Sequence, residues 1–465
     1  MPRFHLTASL LTLCAVAAAS SAQCSINYNG AIGLPGLGDG YAAPMMEWND
    51  GTGQALYVGG AFTEIGGAFI NVLAKYDVTS DSWNRLGNGI SIGSTNGFLT
   101  SMVPYDSGTG SRLIVAGRFT SAGGVSGTEA IAAWNGVDWS SLGLNVSAGN
   151  AVWDMVVGDL GQGPRLFVAG GFGIPYGGIA QYNGTTWGPV GTGVGVRGSF
   201  SPYIGALAIF NDGSGPALYA AGRFDTIDGV AAQLAAKYNG HVWSRIGAGL
   251  SRQSDALKYL SCMTVFNNGT TTSLYVGGTQ FGMTGRLGST NVARWSGGTT
   301  GTFWTGVGQV LGTGRVTVLR GWDDGSGPRL YFAGAAFPGI NNFGRLIGNT
   351  WTAVDGSLRD SSVNGAAISG GYPSAYGLGE WNGNLVIGGN FLSIGPETAL
   401  GIGILERCCP CRADYDQNGG IDGSDIESFF ADWSDGTIGA DVDCNGGIDG
   451  GDVEVFFVGW EAGGC

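Results

Sequence analysis

Leu56-Tyr57-Val58-Gly59-Gly60 is an apolar run of strand length closed by glycine, and it returns six times along the chain. The copies are Leu113-Ile114-Val115-Ala116-Gly117, Leu166-Phe167-Val168-Ala169-Gly170, Leu218-Tyr219-Ala220-Ala221-Gly222, and the segments Leu274–Gly278, Leu330–Gly334 and Leu385–Gly389. Their last glycines lie 57, 53, 52, 56, 56 and 55 residues apart. A motif repeated at so even a spacing is the signature of one supersecondary unit used again and again.

The surroundings of the motif repeat as well. An apolar stretch such as Ala206 to Phe210 comes first, then a glycine-rich turn, Asn211-Asp212-Gly213-Ser214-Gly215, of a kind that tolerates positive φ and joins a hairpin. The glycine-closed strand follows, usually closed by a Phe two or three residues on, as at Phe62, Phe119, Phe172 and Phe224. A strand ending in Tyr-Asn-Gly or its like comes next, as in Tyr238-Asn239-Gly240. The unit closes on Trp-x-x-aliphatic-Gly, at Trp83, Trp139, Trp187, Trp243, Trp304 and Trp351. Four short strands in each of seven units predict an all-β fold, a seven-bladed β-propeller of four-stranded blades.

On these motifs, residues 25–406 resemble the kelch-like propellers, in which a strand ending in a glycine pair precedes a Tyr-bearing strand and then a Trp. The resemblance implies an architecture, and such folds host binders and enzymes alike. The seventh copy lacks its Trp strand, because Gly401 to Leu405 runs directly into Arg407 and the cysteines. Near the N-terminus, Tyr28-Asn29-Gly30 followed by Leu37-Gly38 reads as the end of a repeat without a beginning. Residues of about 31–38 are therefore expected to complete the last blade, which would remove exposed strand edges. That pairing would bring Cys24 near Cys408 or Cys409, within reach of a disulfide.

Arg3 and His5, the apolar run from Leu6 to Ala19 and the small-residue stretch Ser20-Ser21-Ala22 read as an export signal over 1–22, cleaved after Ala22. No later run is long and apolar enough to span a bilayer. The expected organisation is a propeller over 23–407 and a small module over 408–465, secreted or held at the cell surface. The 90 glycines fall between short apolar runs and show no collagen-like period, which favours strands and tight turns. The net charge of −14 sits mainly in the tail: from Cys411 onward there are 13 Asp or Glu against one Arg. Neither part has the basic footprint of a nucleic-acid binder.

The acidic tail carries its own repeat. Asp414, Asp416, Asn418, Asp422 and Asp425 offer oxygen ligands at loop positions 1, 3, 5, 9 and 12, with Gly419 at the sharp turn and the Gly420 carbonyl at position 7. The pattern returns 27 residues later as Asp441, Asp443, Asn445, Gly447, Asp449 and Asp452. Each loop leads into an apolar helical pattern, Ile426, Phe429, Phe430, Trp433 and then Val453, Phe456, Phe457, Trp460. Two loops in register predict two bound Ca²⁺ ions. An EF-hand would end on Glu and carry a helix before each loop. A duplicated loop with a single following helix resembles the dockerin modules instead, and the Gly-Gly-Cys ending resembles the GC-type dockerins of secreted bacterial proteins. That resemblance implies a cohesin-like or cell-surface anchor as partner, contacted through loop positions 10 and 11. Here those are Gly423-Ser424 and Gly450-Gly451, which offer few side-chain contacts. Four carboxylates per loop repel one another without metal, so metal binding is expected to supply folding free energy.

Catalytic residues are harder to find. Beyond the signal segment His241 is the only histidine, which argues against a Ser-His-Asp triad and against histidine-rich metal sites. His241 lies in a repeat turn beside Trp243 and reads as structural. Seven cysteines follow the signal segment, an odd number, with Cys262 the expected singleton; Cys408-x-x-Cys411 reads as stapling at the domain junction. The constant place of each Trp favours packing between blades. Arg118 and Arg223 could face a central channel with Glu47 or Asp154. Three functions remain: an exported protein that binds a protein or glycan ligand and attaches through calcium, an exported hydrolase or lyase with a carboxylate pair at the channel mouth, or a passive spacer in an extracellular layer.

Overall fold

The computed structural model describes the strand Asn27–Asn29 and residues 36–407, except 94–96, 145, 147–150, 174, 196–200, 252–257, 286–287, 298–303, 326, 338–339, 341, 355–357, 360–373 and 395–396. Toward the C-terminus it describes 413, 415–416, 421–437, 440–442 and 447–462. Two compact units result, a large one over Ile26–Cys408 and a smaller one containing the C-terminal helices.

Among the described residues the large unit is built on seven main antiparallel open sheets, six of four strands and one of five. Sheet 1 runs Tyr41–Asn49, Gln54–Ala61, Leu73–Asp77 and Ser82–Asn84. The first strands of sheets 2 to 6 are Phe98–Asp106, Val152–Asp159, Tyr203–Asn211, Leu260–Asn267 and Arg315–Asp323. Sheet 7 orders Ser374–Trp381, Asn384–Asn390 and Ile402–Glu406, and takes its fourth strand, Asn27–Asn29, from the other end of the unit.

The repeated glycine has a steric cause. In every sheet the first strand bulges opposite the end of the second, at Ala42/Met45, Leu99/Ser101, Val152/Asp154, Ile204/Ala206, Leu260/Cys262, Val316/Val318 and Ala375/Gly377. A Cβ on the motif's last glycine would lie 2.1 to 2.4 Å from a first-strand carbonyl oxygen at each of the seven positions, for instance 2.2 Å from Tyr203 O at Gly222. No side chain fits there. The preceding hairpin turns are held by their first residue: Asn49, Asp106, Asp159, Asn211, Asn267 and Asp323 each accept from the N–H two residues on.

The Trp-x-x-aliphatic-Gly motif links one sheet to the next. Trp139, Trp187, Trp243, Trp304 and Trp351 donate through Nε1 to the carbonyls of Leu86, Leu142, Val190, Ile246 and Val307, at 2.7 to 3.3 Å. Each acceptor is the aliphatic residue of the preceding repeat's own motif. The glycine after it makes room: a Cβ on Gly308 would meet Trp351 Cδ1 at 2.3 Å. Apolar packing follows the same order. Seven buried clusters each draw on two neighbouring sheets, and one of them joins Val386, Ile402 and Ile404 of sheet 7 to Ala42, Val58 and Ala74 of sheet 1. The first strands of successive sheets are in contact all the way round, the last with the first.

The expected closing segment requires correction. The strand beside Ile402–Glu406 is Asn27–Asn29, with Asn27, Tyr28 and Asn29 paired to Glu406, Leu405 and Ile404; of the expected segment 31–38, residues 31–35 lie outside the described residues. Tyr28 stands opposite Leu405 as Trp243 stands opposite Tyr238, so it occupies the fourth-strand Trp position rather than the third-strand Tyr position. Leu37 instead bridges to Ile65 in sheet 1. It belongs to a set of straps that cross to the next sheet, alongside Ile90–Ser91 on Ser121–Ala122 and Leu358–Arg359 on Ser393–Ile394. Cys24, Cys408, Cys409, Cys411, Cys444 and Cys465 lie outside the described residues, whereas Cys262 is a buried free thiol.

The smaller unit contains two helices, α1 (Gly423–Asp435) and α2 (Gly450–Ala462). Asp422 caps α1 and Gly436 ends it in a left-handed conformation. The helices meet through Phe429 and Phe456, stacked at 4.3 Å with rings 5° from parallel and both fully buried. Trp433 Nε1 donates to Asp449 O and Trp460 Nε1 to Asp422 O, so each loop–helix repeat clasps the other in the same way. No helix among the described residues is long and apolar enough to cross a membrane.

Candidate ligand-binding site

The seven first strands jointly frame a cavity of about 290 Å³. Its wall includes Tyr41, Trp153, Tyr203, Tyr259, Arg315 and Tyr376, one residue from or beside the first strand of six different sheets. The bulges produce this arrangement. The residue whose carbonyl oxygen faces the motif's last glycine lies just ahead of the bulge, and it is Tyr41, Phe98, Tyr203, Tyr259 or Arg315 in five sheets. In sheets 3 and 7 that place holds Ala151 or Ser374, and the bulge residue supplies the ring instead, Trp153 or Tyr376. A bulge re-aims one side chain out of the pleat, which is how a strand whose other residues face neighbouring sheets can point one ring at the opening.

The rings touch. Phe98 stacks on Trp153 at 5.7 Å, Trp153 approaches Tyr203 at 6.5 Å, Tyr203 approaches Tyr259 at 5.9 Å, and Tyr41 meets Tyr376 at 4.7 Å. Trp153 is 37% exposed, a large indole left open to solvent. The hydroxyls below the rings are committed to the scaffold: Thr100 donates to Val152 O, Ser261 to Val316 O and Thr317 to Ala375 O, each bonding to the next sheet. Burial raises the pKa of Tyr41 and Tyr203, so both remain neutral phenols.

Arg315 is the cation of the wall. Its Nη1 donates to Tyr259 Oη at 2.8 Å. Desolvation works against its charge, but that bond and the surrounding tyrosines raise its pKa, and it stays a guanidinium. Among the described residues no carboxylate lies within ion-pair distance of it. Arg118 and Arg223 lie over the faces of Phe98 at 4.8 Å and Tyr203 at 5.0 Å, and neither is among the residues that line the cavity.

The carboxylates singled out in the sequence are not brought together with these arginines. Glu47 accepts from Asn382 N at 3.1 Å, toward the far end of its strand. Half-buried Asp154 accepts from Ser101 Oγ, Met155 N and Leu207 N, tying sheets 2, 3 and 4 together. Desolvation pushes its pKa up to about 6 against those three donors. Neither lines the cavity, whose described lining holds no Asp or Glu. His241 sits in an exposed turn, its N–H donating to Asn239 Oδ1. The repeated Trp residues serve the inter-sheet bonds described above, while the exposed Trp153 is not one of them.

Of the expected calcium ligands, Asp414, Asn418, Gly420, Asp443 and Asn445 lie outside the described residues. Asp416, Asp422, Asp425, Asp441, Gly447, Asp449 and Asp452 are described, and among the described residues no three carboxylates converge on one point. The two position-12 residues, Asp425 and Asp452, are fully buried. Asp425 accepts from Asp416 N and Asp422 N, and Asp452 from Asp449 N, so each draws its loop onto the start of its helix. No Lys, Arg or His follows Arg412 in the chain. Buried carboxylates in a segment with no cation of its own form a donor set suited to a hard metal ion. Those groups would hold Ca²⁺, which when bound would neutralise the loops.

No protein-family model and no curated protein matches the chain. Among solved structures it is similar to the extracellular domain of a hybrid two-component system of B. thetaiotaomicron, at 11% identity and a TM-score of 0.47 over 83% of this chain. It spans 40% of that protein's length. It is also similar to BBS1N, solved in complex with ARL6DN, at 12% identity and a TM-score of 0.34 over 63% of this chain and 76% of that one. A third likeness is to the Polycomb Repressive Complex 2 of Chaetomium thermophilum, at 11% identity and a TM-score of 0.36 over 79% and 93%.

Proposed function

We propose that this chain is an exported recognition protein: a seven-bladed β-propeller that binds its ligand at the aromatic mouth of the central channel, carried with a calcium-dependent, dockerin-like attachment module. The observation that carries the reading is the cavity itself. Separate repeats with a shared scaffold role converge six aromatic residues and Arg315 on one opening. Packing between sheets does not require this, since the core is complete without the exposed face of Trp153. The cyclic contact of the first strands supports the propeller, and the buried carboxylates Asp425 and Asp452, in a segment where no Lys, Arg or His follows Arg412, support two calcium ions. Absence of carboxylates from the described lining favours binding over a hydrolase or lyase. The test is a glycan and extracellular-protein array probed with the full chain in calcium, wild type beside a Trp153→Ala/Tyr203→Ala double variant. A ligand retained by the wild type and lost by the double variant supports the reading. Equal retention by both sinks it.

A further inference from the structure

The mouth combines two features that a general binding surface does not need. Its rings present flat, polarisable faces with phenolic hydroxyls at their edges, from Tyr41, Tyr203, Tyr259 and Tyr376. Between them stands Arg315, a guanidinium removed from much of the solvent, whose polar contact among the described residues is the Tyr259 hydroxyl. A desolvated cation without a carboxylate is costly unless an anion completes it. Guanidinium groups meet carboxylates through two parallel N–H bonds, which gives both strength and orientation. No described lining residue is acidic, so an incoming anion meets no like charge. A cavity of about 290 Å³ is at the lower limit for small-molecule sites, enough for a compact ring-sized group. Aliphatic side chains are scarce in the wall, with Leu99 and Ala43 the only two among the described residues, which leaves little to grip an apolar peptide side chain.

We infer that the mouth binds an acidic saccharide: a uronic acid unit whose carbon-bound hydrogens lie against Trp153 and Tyr203 and whose carboxylate pairs with Arg315. The inference rests on the mouth being the binding site and names the ligand class for it. Tyr259 is then a positioning residue, its hydroxyl fixing the guanidinium.

The test uses the full chain with calcium and calorimetric titration of a galacturonate hexamer, its carboxyl-reduced counterpart and a peptide ending in a free carboxylate. The hexamer is expected to bind, with affinity about tenfold lower or worse after carboxyl reduction. Arg315→Gln should weaken the hexamer by a similar factor and leave the reduced hexamer unaffected. Arg315→Lys, which keeps the charge but not the fork, should fall between. Unfolding midpoints of both variants show whether the fold is intact, and the reduced hexamer reports on the wild-type mouth without any substitution. Equal affinity for the two hexamers overturns the acidic assignment, as does binding of the peptide in place of the sugars. Hexamer binding that Trp153→Ala leaves unchanged removes the mouth as the site altogether, which separates the two failures.

Discussion

Replacing Gly222 by Ala probes the bulge on which the repeated sheets and the mouth both depend. The new Cβ would fall 2.2 Å from Tyr203 O, 2.9 Å from Ile204 Cα and 3.1 Å from Gly205 N. All three are backbone atoms, and Ile204 is fully buried, so no side chain can swing aside. The first strand must move by about an ångström, a displacement of the kind that costs ~1–3 kcal/mol in packed interiors. Loss of glycine's freedom in the unfolded chain returns ~0.4–1 kcal/mol, so the net destabilisation is about 1 kcal/mol. Gly173 is the control, since a Cβ there meets nothing within 4 Å. Gly173→Ala is expected to be neutral or to stabilise by about 0.5 kcal/mol. Equilibrium unfolding in urea, with calcium present, compares the two. Gly222→Ala should also weaken ligand binding, because Tyr203 and Gly205 flank the displaced bulge. A Gly222→Ala protein as stable as the wild type would refute the steric reading of the repeated glycine.

Two further outcomes follow from charged groups. Asp154, raised from 3.8 to about 6, holds its proton in the folded state after the unfolded chain has released it. Its contribution therefore falls as pH rises from about 4 through 6, by at most about 3 kcal/mol. Whatever the fixed cost of turning an amide toward Leu207 N, the stability of Asp154→Asn relative to wild type should rise across that window; urea midpoints that keep a constant difference from pH 4 to 7 contradict it. Chelation with EDTA should strip hydrogen-exchange protection from α1 and α2 while leaving strands such as Pro216–Arg223 protected; unchanged protection of the helices rules out calcium as their folding partner.

The scaffold was legible in the sequence because its causes are local and repeat. A glycine with no room for Cβ, an Asx-held turn and a Trp that bonds to the preceding repeat each recur at fixed offsets, so Gly60 and Trp139 announce the same contacts as Gly222 and Trp243. The closing strand was misplaced because Tyr28-Asn29-Gly30 has the composition of a third-strand end, whereas its pairing with Leu405 depends on a partner far away in sequence. The mouth went unread for a different reason. Tyr41, Phe98, Tyr203, Tyr259 and Arg315 do share one offset from the repeated glycine, but they differ in type, and two sheets shift the ring into the bulge. Only the ring of contacts shows that unlike residues at one register do one job. Arg118 and Arg223 lie over rings beside the mouth without lining it, and the carboxylates offered to them, Glu47 and Asp154, point their hydrogen bonds into the scaffold.

The central claim is that the mouth framed by the seven first strands is where this protein recognises its ligand. The most direct measurement is an equilibrium titration of that ligand against wild type, Trp153→Ala/Tyr203→Ala, and Phe69→Ser, the last altering an aromatic ring that is 82% exposed elsewhere in sheet 1's loop. The account predicts affinity lowered at least about tenfold by the mouth variant and unchanged by Phe69→Ser, with all three proteins unfolding at similar midpoints. Undiminished affinity in a folded mouth variant would contradict it.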